Sequence, residues 1–591
     1  MKKSTKRGAA LLYAVIGVFV AGAMVTVMMT VASATNTRSN LKRDVAQGRH
    51  AAEGVIEAAK KQMQTAAANW LEVETAGTMY VGSTPVEYSV TPTGEVRVVT
   101  YESGFQQTFT PYEVRAQAEV ERSKPLEHRI VELVSTPIFQ YAVFYDDDLE
   151  VQPGPAMELV GRIHTNSDMY LGCGDTLTLN TNHIRVVGDV HRRRKDSDAS
   201  PGTVEIREWV TNPFDGSIPA TYNTMYSRSE MDAFGVTTDS GYDSDFVDGY
   251  DADGDGIYEP GDGDFLPFDA GALEYWDQAD GYTEGEGHTL LTGAHGVTEA
   301  VAPGINALDM FTEAESGGTH VWDAASGTYV ESPGGTHVRG FFHGEADLVI
   351  LVMPDGSIQG FDGDGAAVDV PFATTESVYD ARQGGDVPIV KIDLEGLVAP
   401  ADGEELLFPE NGLLYVSHYG MGAGDDARGV MLTNGSSIGR ALTLATDGAA
   451  YVHGDYNVDD KRGCAVIADA LNLLSNAWDG SKEVGELPTA AATSYNLAFI
   501  TGNQITSGSA YNGGLENLPR FHEKWSGVPC RIRGSFVNLW ESQYATGEWL
   551  YGGDRYQAPI RDWGYDEDFN DPESLPPYTP LVVTARNVVS W

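Results

Sequence analysis

The rhythm of apolar and polar positions changes three times along this chain of 591 residues. Residues 9–34 read AALLYAVIGVFVAGAMVTVMMTVASA and carry no charge. About 20 apolar residues span a bilayer at a rise of about 1.5 Å each, so this run predicts a membrane-crossing helix. The pattern then turns amphipathic. Leu41, Val45, Ala52, Val55, Ile56, Ala59 and Met63 recur largely at three- and four-residue steps, with charged residues between them. The first proline is Pro85. One unbroken helix over 9–71, about 95 Å long at the helical rise, is therefore expected.

The second change comes near residue 78. MYVGSTPVEYSV, GEVRVVTYES, PYEVRAQAEVE and RIVELVSTP alternate with a period of two, the mark of half-buried strands. They predict a small antiparallel sheet packed on the C-terminal half of the helix. After residue 150 the strands become short apolar runs beside Gly and polar corners: MELVGRIHTNSDMYLG, HIRVVGDVH, HVRGFFHGEADLVILV, LTLATDGAAYVHGDYN, YNLAFITGN and PCRIRGSFVNLW. Their spacing is too irregular for a strict repeat. Inward Val, Ile and Leu with Asn and Gly at corners favour the coils of a parallel β-helix, with a sandwich as the competing architecture. The expected fold class is α+β: a long N-terminal transmembrane and stalk helix, then a large β-rich head. The expected organisation is a basic leader at 1–8, the helix at 9–73, the antiparallel unit at 74–150, and the head at 151–591 with an acidic insertion at about 239–287.

Charge sharpens this division. Residues 1–61 hold ten Lys and Arg against three Asp and Glu, whereas the remainder holds 28 against 83. A head this acidic repels nucleic-acid phosphates, so no nucleic-acid partner is expected. It suits divalent cations or simple solubility. Lys2, Lys3, Lys6 and Arg7 precede the apolar run and favour a cytoplasmic N-terminus; Arg38, Lys42 and Arg43 follow it and oppose that vote. A cleavable secretory signal is the rival reading, with Ala32, Ser33 and Ala34 as a small-residue site, but its apolar core would be about 7–15 residues long. Cys173, Cys464 and Cys530 lack metal-binding spacing. A Cys464–Cys530 disulfide is one option in an oxidising compartment.

A short basic leader ending in Gly8, a small residue, a long apolar helix and an amphipathic extension resemble a type IV pilin precursor. RGAALLYAVIGVF followed by AAEG is most similar to PilX-like minor pilins, over about the first 60 residues. The resemblance implies cleavage by a prepilin peptidase between Gly8 and Ala9. It also implies partnership with other pilins or pseudopilins through the helix, inner-membrane residence with a periplasmic head, and a place on the cell surface after assembly. Major pilins carry Glu at the fifth mature position; here that position is Tyr13. A buried Glu there would pair with a neighbour's terminal ammonium. Its absence points to a minor subunit at a filament tip. GRIHTNSDMYLG and the C-terminal segments YNGGLENLPRFHEKW and APIRDWGYDEDF resemble parts of large pilus-associated proteins and imply no activity.

The sharpest chemical signal is DADGDGIYEPGD at 251–262. Asp251, Asp253, Asp255, Ile257, Glu259 and Asp262 fall at positions 1, 3, 5, 7, 9 and 12 of a calcium loop, with Gly256 at the turn. Ile257 would offer its backbone carbonyl. Calcium is therefore the expected cofactor. DGDG at 362–365 is a shorter echo. Other candidates are weaker. The run His191 to Lys195 reads as a solvated loop pairing with Asp196 and Asp198. His164, His183, His191, His320, His337 and His343 lack metal-binding spacing. Glu516, Glu523, Asp562, Asp566 and Asp568 could pair as glycan-cleaving carboxylates, with Trp525, Trp540, Trp549, Tyr551, Trp563 and Tyr565 lining a sugar groove or, as large aromatics more often do, filling core. No nucleophile-elbow, P-loop or dinucleotide fingerprint is present. The expected function is structural and adhesive, with a surface or glycan target. A membrane-anchored β-helix enzyme acting on polysaccharide is the alternative.

Overall fold

In the computed structural model, the described residues are 5–101, 103–197, 199, 201–208, 221–224, 290–293, 296–312, 320–323, 328–331, 338–353, 355–399, 406–418, 428–480, 487–506, 512–547 and 556–590. A long N-terminal helix and a large β-rich region give the α+β class that the hydrophobic pattern predicts.

Helix α1 runs over Thr5–Ala68, 64 residues without a break. Ala51, Ala52, Val55, Ile56, Ala59, Met63 and Ala68 are buried against Val86, Tyr88, Val90, Val114, Ala116, Val131, Leu133 and Val583. Docking begins near Asp44, which Arg122 pairs at 3.1 Å, and at Gly48, where the backbone presses on Pro125. Leu41 stays exposed. The helix stops before Trp70, whose φ of 55° is left-handed. Its ring stacks on Phe341 at 3.5 Å and meets Phe342 edge-on.

The sheet under α1 is antiparallel, in the order Ala76–Val81, Thr84–Pro92, Gln106–Ala118, Leu126–Pro137 and Leu581–Ser590, with Arg97–Thr100 pairing to Gln106–Ala118. Its last strand comes from the far end of the sequence: Leu581 pairs with Pro137 and Val583 with Ser135.

The head is a stack of parallel rungs. One 12-stranded sheet runs through Leu290–Leu291, Ile184–Val186, Ile163–Thr165, Val143–Tyr145, Phe536–Glu541, Ala498–Asn503, Cys464–Ala468, Leu442–Thr446, Leu413–His418 and Leu348–Val352, then ends in Ile358–Asp362 and Ala367–Val368. All but its last two pairings are parallel. A second face carries Gly385–Asp393, Gly429–Thr433, Ala449–His453, Ala470–Leu474 and Pro519–Phe521 in parallel. A third carries Thr493–Asn496, Pro529–Gly534 and Ile560–Tyr565. Strands buried on both faces read as continuous apolar runs, which explains LVILV at 348–352, buried throughout. The stretch before it holds a helical turn, Phe341–Glu345, in place of an all-strand segment.

The chain enters this stack in its middle. Val143–Tyr145 lies between Ile163–Thr165 and Phe536–Glu541. Rungs after it build outward to Leu290–Leu291. The chain then re-enters at the opposite end, at Leu348–Val352, and winds back to Phe536–Glu541. The seam is closed by Phe536 N–H donating to Ala142 O at 2.8 Å and by the Ser535 hydroxyl donating to Tyr141 O. Polar corners ladder across the first rungs. Asn166 donates to Asp146 and to Ala300 O, and Ser167 donates to Asp148, which is what GRIHTNSDMYLG encodes.

Candidate functional site

The first half of α1 is the least satisfied surface among the described residues. It is the one described helix long and apolar enough to cross a membrane, and none of that apolar stretch is buried against the rest of the chain. Tyr13 is 73% and Phe19 75% exposed. Such a surface needs lipid or other helices around it. Its polar groups are answered internally: the Thr26, Thr30 and Thr35 hydroxyls each donate to the carbonyl four residues earlier, at 2.8–2.9 Å. Unmet hydroxyls would oppose an apolar environment. Gly17 and Gly22 have open space beside them, and Ala10, Ala14, Gly17 and Ala21 fall on one side at helical spacing. Small residues let a neighbouring helix approach closely. Gly8 and Ala9 lie within α1.

The predicted calcium residues Asp251, Asp253, Asp255, Ile257, Glu259 and Asp262 lie outside the described residues. DGDG at 362–365 makes a hairpin turn, in which Asp362 accepts from the Asp364 and Ala366 amides; that is turn chemistry. Among the described residues, no group of three or more His, Cys, Asp or Glu side chains is arranged to hold a metal. His164 bonds Asn166 and stacks on Phe144, and burial pushes it down to about 4 despite that hydrogen bond. His343 bonds Met310 O, and His191 faces Asp168 at 3.1 Å. The basic run splits. Arg194 pairs with Asp196 as expected, but Arg192 is buried and donates to Pro201 O and Gly202 O, while Lys195 reaches Asp148. With His191 and Arg192 both buried, part of the run is core.

The candidate carboxylates divide between the interior of the head and one open cleft. Glu523 accepts from the Ser475 amide and hydroxyl, and Glu516 from the Gln152 amide, both inside the head. Asp562, Asp566 and Asp568 line an open cleft of about 620 Å³ with Arg531, Arg533 and Lys461. There Asp562 is bound to Arg533 at 2.6 Å, and Asp566 and Asp568 to Lys461 at 2.7 and 2.8 Å. Trp525, Trp540, Trp563 and Tyr565 are buried in the core, and Trp563 and Tyr565 also form part of the lining of that cleft; Trp549 and Tyr551 lie outside the described residues. The Cys464–Cys530 option is corrected: all three thiols are free and buried. Cys464 sits on the long sheet beside Leu442 and Cys530 on the third face beside Thr493. Burial pushes the Cys464 thiol up to about 12, far from reactive thiolate.

Sequence reasoning missed one cluster on the outer side of the second face, built from Asp380, Arg382, Tyr451, Asn472, Arg520 and His522. Lone Arg and Asp residues at irregular spacing gave no signal, and their proximity depends on rung stacking.

No family model matches the chain, and neither does any curated protein. Among solved structures, the crystal structure of the competence-associated pilin ComZ from Thermus thermophilus aligns over 93% of this chain and 97% of that one, at 9% identity and a TM-score of 0.22. A superposition that loose carries no assignment.

Proposed function

We propose that this chain is a minor-pilin-like structural and adhesive component of a type IV pilus or related secretion filament, located at its tip. The observation that carries this reading is the division of α1: an apolar half with nothing packed on it, continuous with a half docked on an antiparallel sheet. In the bilayer the free half is solvated by lipid. In a filament it exchanges lipid for neighbouring helices, an exchange driven by close packing rather than by hydrophobic transfer. Prepilin peptidase would cut between Gly8 and Ala9, from a single-pass state with the N-terminus cytoplasmic and the head periplasmic. Tyr13 brings no charge to neutralise a preceding subunit's ammonium, and a head of this size suits a terminal place better than dense helical repetition.

We read the stacked rungs as a parallel β-helix, stiffened by calcium at 251–262 and presented outward to a surface or glycan target. The mechanism is assembly and contact, not catalysis. N-terminal sequencing of the membrane-extracted protein tests the core of this reading: Ala9 is the expected first residue, whereas an intact Met1 or a start at Thr35 rejects it. For the loop, calorimetry is expected to give calcium binding in the range of about 10⁻⁴–10⁻³ M, as extracellular loops do. Asp251→Ala should remove it; equal heats for both proteins would sink the calcium site.

A further inference from the structure

On the second face of the head, residues alternate between the core and an outer side. Leu471 and Leu473 point into the main core, whereas Ala470 and Leu474 join a separate outer cluster with Tyr451 and Met431. The parallel register puts Tyr451, Asn472 and Arg520 in one row across three rungs on that outer side. The turn Ala381–Gln383 brings Asp380 and Arg382 to the same place, since the Tyr451 hydroxyl donates to Asp380 at 2.8 Å. Asn472 holds His522 at 2.8 Å.

Two guanidinium groups in this cluster are buried without adequate acceptors. Arg382 is 6% exposed and Arg520 2%. None of the three side-chain nitrogens of Arg382 has a hydrogen-bond partner; Nε and Nη1 of Arg520 have none either. The single bond from this pair goes from Arg520 Nη2 to the Ser542 hydroxyl at 2.6 Å. The nearby carboxylates are already engaged. Asp380 accepts from the Arg382 backbone amide, Gln383 and Tyr451. Asp469 accepts from the Gln543 and Tyr544 amides. Two other buried arginines in this head are better met. Arg162 donates to Gln140 O, Asn570 and Ser103, and Arg428 pairs with Asp447 and Tyr544.

A buried guanidinium with unmet N–H groups is costly to hold, and two beside each other repel as well. We propose that Arg382 and Arg520 form a receptor for a small oxyanion: a carboxylate, sulfate or phosphate group. The planar guanidinium fork matches two oxygens of such a group. The orphaned nitrogens supply the donors, and the Asp380 network holds the turn that carries Arg382. This site is independent of the filament reading and would stand if that reading failed.

The test uses the full chain in detergent at constant ionic strength set with sodium chloride. Sulfate, phosphate and glucuronate are titrated separately by calorimetry, and thermal unfolding is followed in parallel. A melting temperature rising with the logarithm of oxyanion concentration is expected, because a ligand of the native state stabilises by mass action. Tighter binding of glucuronate than of sulfate assigns an acidic sugar as the source; the reverse assigns an inorganic anion. Arg382→Lys keeps the charge but loses the fork, and should bind at least about tenfold more weakly. Arg382→Met should abolish the response yet melt no lower than wild type in oxyanion-free buffer, since it removes an unmatched buried charge. No heat with any of the three anions, or an Arg382→Met protein that melts well below wild type without them, overturns the proposal.

Discussion

At the residue scale, burial decides which side chains are chemically poised. Glu150 is almost fully covered, with Oε2 accepting from the Thr506 hydroxyl at 2.9 Å. Burial, helped by the neighbouring Glu516, pushes its carboxyl up to about 7 against the opposing Thr506 bond. An acid whose folded pKa is raised holds its proton in the native state after the unfolded chain has lost it. Its contribution to stability is therefore fully present below the usual carboxylate range and is lost as pH rises through about 7. In Glu150→Gln, denaturant midpoints measured from pH 5 to 8 should fall less steeply than in wild type, by up to about 1.4 kcal/mol per pH unit. Some slope should remain, because burial also raises Glu523, to about 6. Parallel curves would show that Glu150 is solvated.

At the element scale, α1 shows why one residue type has two meanings. A Cβ at Gly48 would stand 2.4 Å from Pro125 Cγ, whereas one at Gly54 would meet nothing within 4 Å. Glycine costs a helix interior about 1 kcal/mol relative to alanine. Gly54→Ala is therefore expected to raise stability by about 0.5–1 kcal/mol. Gly48→Val should lower it by about 1–3 kcal/mol through overpacking against the hairpin that carries Pro125. Thermal unfolding of the two variants, with protease protection of residues 44–68 as a second readout, checks the opposed signs. The helix was legible because its signal is local: uninterrupted hydrophobicity, then period-3.6 spacing, with no proline. Its first buried contact at Asp44 was not, because Leu41 has the right spacing but no sheet beneath it.

At the scale of the whole molecule, the decisive feature is the seam. Val537 pairs with Phe144 on one side and Ile500 on the other and is fully buried. An isolated charge there has no partner, so Val537→Asp should destabilise by more than about 4 kcal/mol. Both stacks of rungs should then melt together in one calorimetric transition. Two separated transitions in wild type would mean that they fold independently. The seam brings the two ends of the head beside each other, so it hangs from the antiparallel sheet by Leu126–Pro137 and Leu581–Ser590. A load on the head would reach α1 through both strands and through Gln64, which donates to Val583 O.

The amino-acid sequence by itself determined the elements whose physics is local. These are the charge-free run and its amphipathic continuation, the alternating strands after residue 78, and the buried apolar strands of the head. The calcium register of the acidic loop at 251–262 is an expectation from local ligand spacing, and those residues lie outside the described structure. Tertiary structure alone decided what depends on residues distant in the chain. It stacked Val143–Tyr145 against Phe536–Glu541, completed the α1 sheet with the C-terminal strand, and put Arg192 in the core and Asp562 in an ion pair. It also set Arg382 beside Arg520. None of these has a sequence period, because parallel pairing joins rungs through connections of variable length, and only the closed stack fixes which side chains meet.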